Sequence, residues 1–132
     1  MKDSAWKEVV SQLTDSDAGV DAWVAAATRI HTESELHDVP RLLELLKHDN
    51  FFVREAAAWP LAELAGPSVL PELLAAYQRG FDEGHDNDGF SAALLEIPAL
   101  HPSTIEATLA SIIQSSPEPA KSHAEWLLEF CE

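Results

Sequence analysis

The stretch Asp82-Glu83-Gly84-His85-Asp86-Asn87-Asp88-Gly89 gathers five carboxylate and imidazole side chains, potential metal ligands and proton carriers, in eight residues. Asp86-Asn87-Asp88-Gly89 has the form of a calcium-binding loop. With Gly89 at the invariant glycine, however, the first ligand position falls on Gly84 and the twelfth on Leu95. The ion needs an acid at the first and a bidentate glutamate at the last. The stretch reads better as a helix start, capped by Asp86 or Asp88, with its acids near the positive end of the helix dipole. A polar run of this length in an otherwise compact chain also makes a contact loop.

Histidine precedes aspartate three times, at His37-Asp38, His48-Asp49 and His85-Asp86. A metal-dependent hydrolase would take His85, Asp86 and Asp88 with a distant histidine as ligands. Such enzymes carry their ligands on long helices around one core, whereas all three dipeptides fall at expected turns. Cys131 is the only cysteine. It can form no internal disulfide and no cysteine zinc site, and the neighbouring Glu129 and Glu132 should raise its thiol pKa rather than activate it. A nucleophile–base constellation and a glycine-rich phosphate loop are both missing from the sequence. The expectation is a non-enzyme with no cofactor or metal.

The indoles offer a different chemistry. Trp59 lies between Glu55 and Glu63 at helical spacings of four residues, which makes an aromatic patch rimmed by carboxylates. That is a mould for lysine and arginine side chains, through cation–π contact and charge pairing. Trp126 stands in an equivalent position near the C-terminus. Trp6 and Trp23 are expected between packed layers, and Phe51 and Phe52 in inter-helix packing. The candidate partner-binding set is therefore Glu55, Trp59, Glu63, Asp82, Glu83, His85, Asp86, Asp88, Glu96 and Trp126.

Charge selects the partner class. Acidic residues outnumber basic ones 23 to 8, for a formal net charge of −15 at pH 7. Such a surface repels nucleic-acid phosphates and anionic lipid, and it accelerates the approach of a basic protein. The chain begins Met1-Lys2-Asp3-Ser4 without the apolar stretch of a secretory signal, and no apolar run reaches the roughly 18 residues that span a bilayer. A soluble cytoplasmic protein is expected.

These residues must be positioned by helices. Hydrophobic residues make up 46% of the chain, and they recur at helical rather than alternating spacing. Punctuation by caps and breakers predicts eight helices, near 4–13, 18–31, 33–47, 51–65, 67–80, 89–100, 102–115 and 117–130. Asp15 or Asp17 is expected to cap the second. Thr32 to Glu35 offers a capping box for the third, in competition with Asp38-Val39-Pro40. Asn50 caps the fourth, Ser68 the fifth and Ser116 the eighth. Pro60 and Pro98 fall inside helices and are expected to kink them; for Pro98 the other option is an early helix end. Short connections make consecutive helices antiparallel neighbours, so the whole reads as one domain, residues 1–132.

The helices repeat. Val53-Arg54-Glu55-Ala56-Ala57-Ala58-Trp59-Pro60-Leu61, then Gly66-Pro67, resembles the second helix of a HEAT-like repeat of the PBS-lyase type. Val39-Pro40-Arg41-Leu42-Leu43 and Leu70-Pro71-Glu72-Leu73-Leu74 resemble first helices. Ala120-Lys121-Ser122-His123-Ala124-Glu125-Trp126 repeats the frame of Arg54 to Trp59, and Phe90 to Ile97 does so more weakly, without the arginine. His48 and Asn50 stand where the family often has aspartate in the turn, which departs from an Asp–Arg ladder through Arg54. The resemblance implies an all-α, right-handed solenoid of about four antiparallel helix pairs, with the second helices on an inner, concave face. It implies a protein-interaction module, and small size and acidity suit a bacterial immunity-type member or a regulatory inhibitor. A structural adaptor in a larger assembly is the further alternative.

Overall fold

The computed structural model describes residues 1–131. Eight α-helices and no strand occur among them: α1 (Asp3–Thr14), α2 (Gly19–Glu33), α3 (Val39–Leu46), α4 (Phe51–Leu64), α5 (Leu70–Asp82), α6 (Asp88–Leu100), α7 (Ile105–Ser115) and α8 (Ala120–Leu128). Short 3-10 turns at Leu36–Asp38 and Gly66–Val69 lead into α3 and α5.

The fold stacks helix hairpins. α1 pairs with α2, α3 with α4 and α7 with α8, while the second helices α2, α4 and α6 pack side by side. A single hairpin has too little apolar surface to close on itself, so its stripe must be covered by the next pair. Ala56, Ala57 and Ala58 are all buried on α4, and their small side chains let α2, α3 and α6 approach it together. One cluster of buried side chains runs through all eight helices, from Val9 and Leu13 to Ala124 and Leu127.

The last pair breaks the pattern. α8 lies against α5 as well as α6, and α7 against α6 and the 3-10 turn at Gly66–Val69. α8 is thus seated between both helices of the third pair instead of extending the row of second helices.

Local chemistry explains most boundaries. Asn50 Oδ1 accepts the Phe52 amide at 2.8 Å and opens α4 as expected. Gly66, at φ +48°, turns the chain after α4, and a side chain there would collide with the ring of His101. His101 in turn bonds the free Ala62 carbonyl through Nε2 at 3.0 Å, filling one of the acceptors left open at a helix end. Pro60 and Pro98 are both accommodated within α4 and α6, so Pro98 does not end its helix early.

Other expected caps lie elsewhere. Thr32 is inside α2, its hydroxyl bonded back to the Thr28 carbonyl, and the box is made instead by Glu35 and Asp38. The Asp38-Val39-Pro40 start therefore prevails, because α2 runs on to Glu33. Asp15 accepts the Asp17 amide in the turn before α2, and Ser68 bonds the Ala65 carbonyl inside a 3-10 turn. Neither caps the following α-helix, because the chain needs another residue or two to turn. For the same reason α8 begins at Ala120 and not at Ser116.

Candidate functional site

Arg54 explains how the acidic loop is held. Its side chain is fully buried, one turn into α4. Nη1 donates to the carbonyls of His48 and Asp49, both at 2.9 Å, and Nη2 to Glu83 Oε1 at 2.5 Å. The guanidinium thus satisfies turn carbonyls directly, so the missing turn aspartate is not needed. Glu83 also accepts from Arg79 Nε at 2.8 Å, and Arg79 reaches Asp49 at 3.2 Å. Bonds from Arg54 and Arg79 hold the Glu83 carboxyl below the usual glutamate range. The start of the loop is therefore bolted to the turn between α3 and α4.

Asn87 fixes the other end, and nothing in the motif reading had singled it out. It is buried, and its Nδ2 donates to the Tyr77 carbonyl at 2.8 Å. The amide occupies the space over Gly80, where a Cβ would collide with it. A glycine inside an otherwise regular α5 was the available signal, since such a gap marks close approach by another group. Asp86 Oδ1 accepts the Asp88 amide at 3.0 Å, which starts α6 with acids at its positive end. Asp82 accepts from Gln78 at 2.8 Å. His85 stacks on Phe51, with ring centres 4.3 Å apart and planes 11° apart.

The loop is thus a folded connector in which several candidate groups already have work. Among the described residues no three His, Cys, Asp or Glu side chains converge as metal ligands would. His85, Asp86 and Asp88 turn to a phenylalanine ring, a backbone amide and a helix start respectively. Cys131 lies in a recess with Leu95, Pro98 and Phe130, and burial, with Glu106 beside it, pushes its thiol up. Glu132 lies outside the described residues.

Glu55, Trp59 and Glu63 share one stripe of α4, and α2 completes it. His31 Nε2 meets Glu63 Oε1 at 2.8 Å, and its ring lies 5.8 Å from that of Trp59. Val20, Trp23, Val24, Ala27 and His31 form the facing stripe of α2. Phe52 extends the α4 stripe one turn before Glu55. Side by side the two stripes line a pair of adjoining recesses. Val20 is 76% exposed, Val24 48% and Phe52 53%.

Two expectations change here. Phe51 packs internally as expected, but Phe52 projects outward. Trp23, expected between layers, lines both recesses, with Nε1 bonded to the Phe52 carbonyl at 3.1 Å. Both follow from the pitch of α4 and α2, which puts them on the side of Glu55 and Trp59.

Trp126 is not part of this face. It stacks on Tyr77 of α5 at 5.8 Å and 13°, with Phe130 edge-on at 5.8 Å. The sequence frame equates it with Trp59, but α8 is seated between α5 and α6. Glu96 is half-buried on α6.

Glu55 is the group whose electrostatics stand out. Burial, and repulsion by Asp86, push its carboxyl above the usual range. Among the described residues no ion pair reaches it; Arg29, Arg41, Arg54 and Arg79 each face other carboxylates. An acidic rim around exposed aromatic and aliphatic side chains can bind a cationic, partly apolar surface.

A family model of HEAT repeats matches residues 6–84, more than half of the chain. The match covers α1 to α5 and the bolted start of the loop. No curated protein and no solved structure matches the chain. Among the described residues, no helix is long and apolar enough to cross a membrane. Paired helices, small residues at the packed faces and the buried Arg54 at the turn between α3 and α4 agree with the family match: the chain belongs to the HEAT-repeat family.

Proposed function

We propose that the chain is a non-enzymatic binding module that holds a basic protein on the face shared by α2 and α4, and that it restrains that partner as an immunity-type or regulatory inhibitor does. HEAT repeats are in general protein-interaction modules, and the family is typically non-catalytic. One observation carries the reading: a row of exposed apolar side chains, Val20, Val24 and Phe52, runs beside half-buried Trp23 and Trp59 and is edged by Glu55 and Glu63. Aromatic side chains fixed in place, beside acids, are what an interface centre for a basic partner needs. The net charge of −15 adds long-range attraction, which screening by salt should weaken.

A displayed random-peptide library tests this. Peptides retained by the protein should be enriched in lysine and arginine over the starting library, and should be lost on Val24→Glu. Val24 is surface-exposed, so that variant should fold. Trp126→Ala, on the α5–α8 side, should retain the same peptides. Selection of peptides no more basic than the library, or identical retention by Val24→Glu, would overturn the proposal.

A further inference from the structure

The α2–α4 face has a substructure that specifies its occupant more closely. One recess, of about 350 Å³, has an apolar wall of Leu13, Val20 and Phe52 and a polar wall that includes Asp15 and Asn50. The other, of about 340 Å³, lies among Val24, Ala27 and Trp59. Trp23 and Glu55 line both and so form the partition between them.

That partition is held from behind. The Trp23 indole is fixed by its bond to the Phe52 carbonyl and by the edge of the Phe52 ring, 6.1 Å between centres. The Glu55 carboxylate rests on the backbone of Gly89, where even a Cβ would come within 2.8 Å of Glu55 Cδ. Gly89 thus opens the space the carboxylate fills. The four arginines named above are engaged with other acids, and Asp86 adds a second negative charge nearby. A half-buried anion without a cation is costly, and a cation from outside would offset that cost. Apolar side chains seated against the wall of Val20 and Phe52 on one side and the wall of Val24 and Trp59 on the other would exclude water from the pair and strengthen it.

We propose that the occupant is a segment of the protein partner in which one lysine or arginine is flanked on each side by an apolar side chain. The cation meets Glu55, and the apolar side chains fill the two recesses. This rests on the binding face proposed above. A second copy of the chain is a poor occupant, since two surfaces of charge −15 repel each other.

The probes are peptides from the library that bind the protein and are lost on Val24→Glu, with Val20→Glu as the second disrupting variant. Each is resynthesised with fluorescein and titrated by fluorescence polarisation. Each lysine is replaced in turn by norleucine and each arginine by citrulline. For the one cation flanked by apolar residues, replacement should weaken binding to the wild-type protein about 10-fold. On Glu55→Gln the same replacement should change binding less than about 2-fold, as a double-mutant cycle requires for a direct pair. Equal losses on both proteins, or no single sensitive cation, would overturn this assignment and leave the binding face standing. Absence of any peptide sensitive to Val24→Glu or Val20→Glu would overturn both. Self-association abolished by Val24→Glu would replace the foreign segment with a second copy and likewise overturn it.

Discussion

Removal of the buried Arg54 guanidinium should destabilise the fold far more than removal of the partly exposed Arg79 guanidinium. The substitution to examine is Arg54→Met, which keeps the apolar stem and deletes the head group. Three bonds are lost at once: to the carbonyls of His48 and Asp49 and to Glu83. A broken buried pair costs about 3–5 kcal/mol. Here the Glu83 side chain is 33% exposed and can rehydrate. The His48 carbonyl also keeps a long contact from Arg79, at 3.5 Å. Both place the loss at the lower end, near 3 kcal/mol, or a Tm drop of about 10 °C for a chain of this size. Arg79→Met removes a cation that is 38% exposed and should cost under about 1 kcal/mol. Urea unfolding followed by circular dichroism gives both numbers. The pair Arg54→Met and Glu83→Gln should be less than additive, because each alone removes the same bond. A loss under about 1 kcal/mol for Arg54→Met, or one no larger than for Arg79→Met, would refute the idea that this guanidinium fastens the loop to the turn.

Three further outcomes follow from the same geometry. Glu55→Gln should raise the stability of the unliganded protein at pH 7, because it removes a charge the fold disfavours, and that gain should narrow on acidification; a lower Tm than wild type would contradict it. Glu83 has the opposite sign: its folded pKa is depressed, so its contribution is present above the ordinary glutamate range and is lost as pH falls through the folded value. The stability gap between wild type and Glu83→Gln should therefore be widest near neutrality and close in acid, as urea midpoints across pH would record. Gly80→Ala should cost about 1–3 kcal/mol by driving a methyl into the Asn87 amide, and Gly80→Ala with Asn87→Ala should recover part of that loss in thermal melts.

The sequence by itself determined the helical fold, the eight elements and the repeat, because each is written in local signals. Periodic leucines and alanines mark the buried stripes. Asn50, Gly66 and the prolines other than Pro60 and Pro98 mark ends, and the segment around Arg54 has a counterpart in frame near the C-terminus. It also placed Glu55, Trp59 and Glu63 on one stripe, since helical pitch alone decides that. Boundaries drifted where a 3-10 turn intervened, at Ser68 and Asp38, because those turns share the residues that cap α-helices.

Tertiary structure decided the rest. The frame along the sequence pairs Trp126 with Trp59, yet α8 packs between α5 and α6, and sequence register cannot reveal a layer that packs differently. Neither could it show that Glu83 is occupied by Arg54 and Arg79, that Asn87 sits over Gly80, or that exposed Phe52 and half-buried Trp23 lie beside Glu55. Each depends on packing between helices that brings distant residues together, as Arg54 meets Glu83 and Trp23 meets Phe52, both 29 positions apart. Pitch tells which side of its own helix a residue occupies; only the packing of neighbouring helices settles whether that side is covered, paired or left open to a partner.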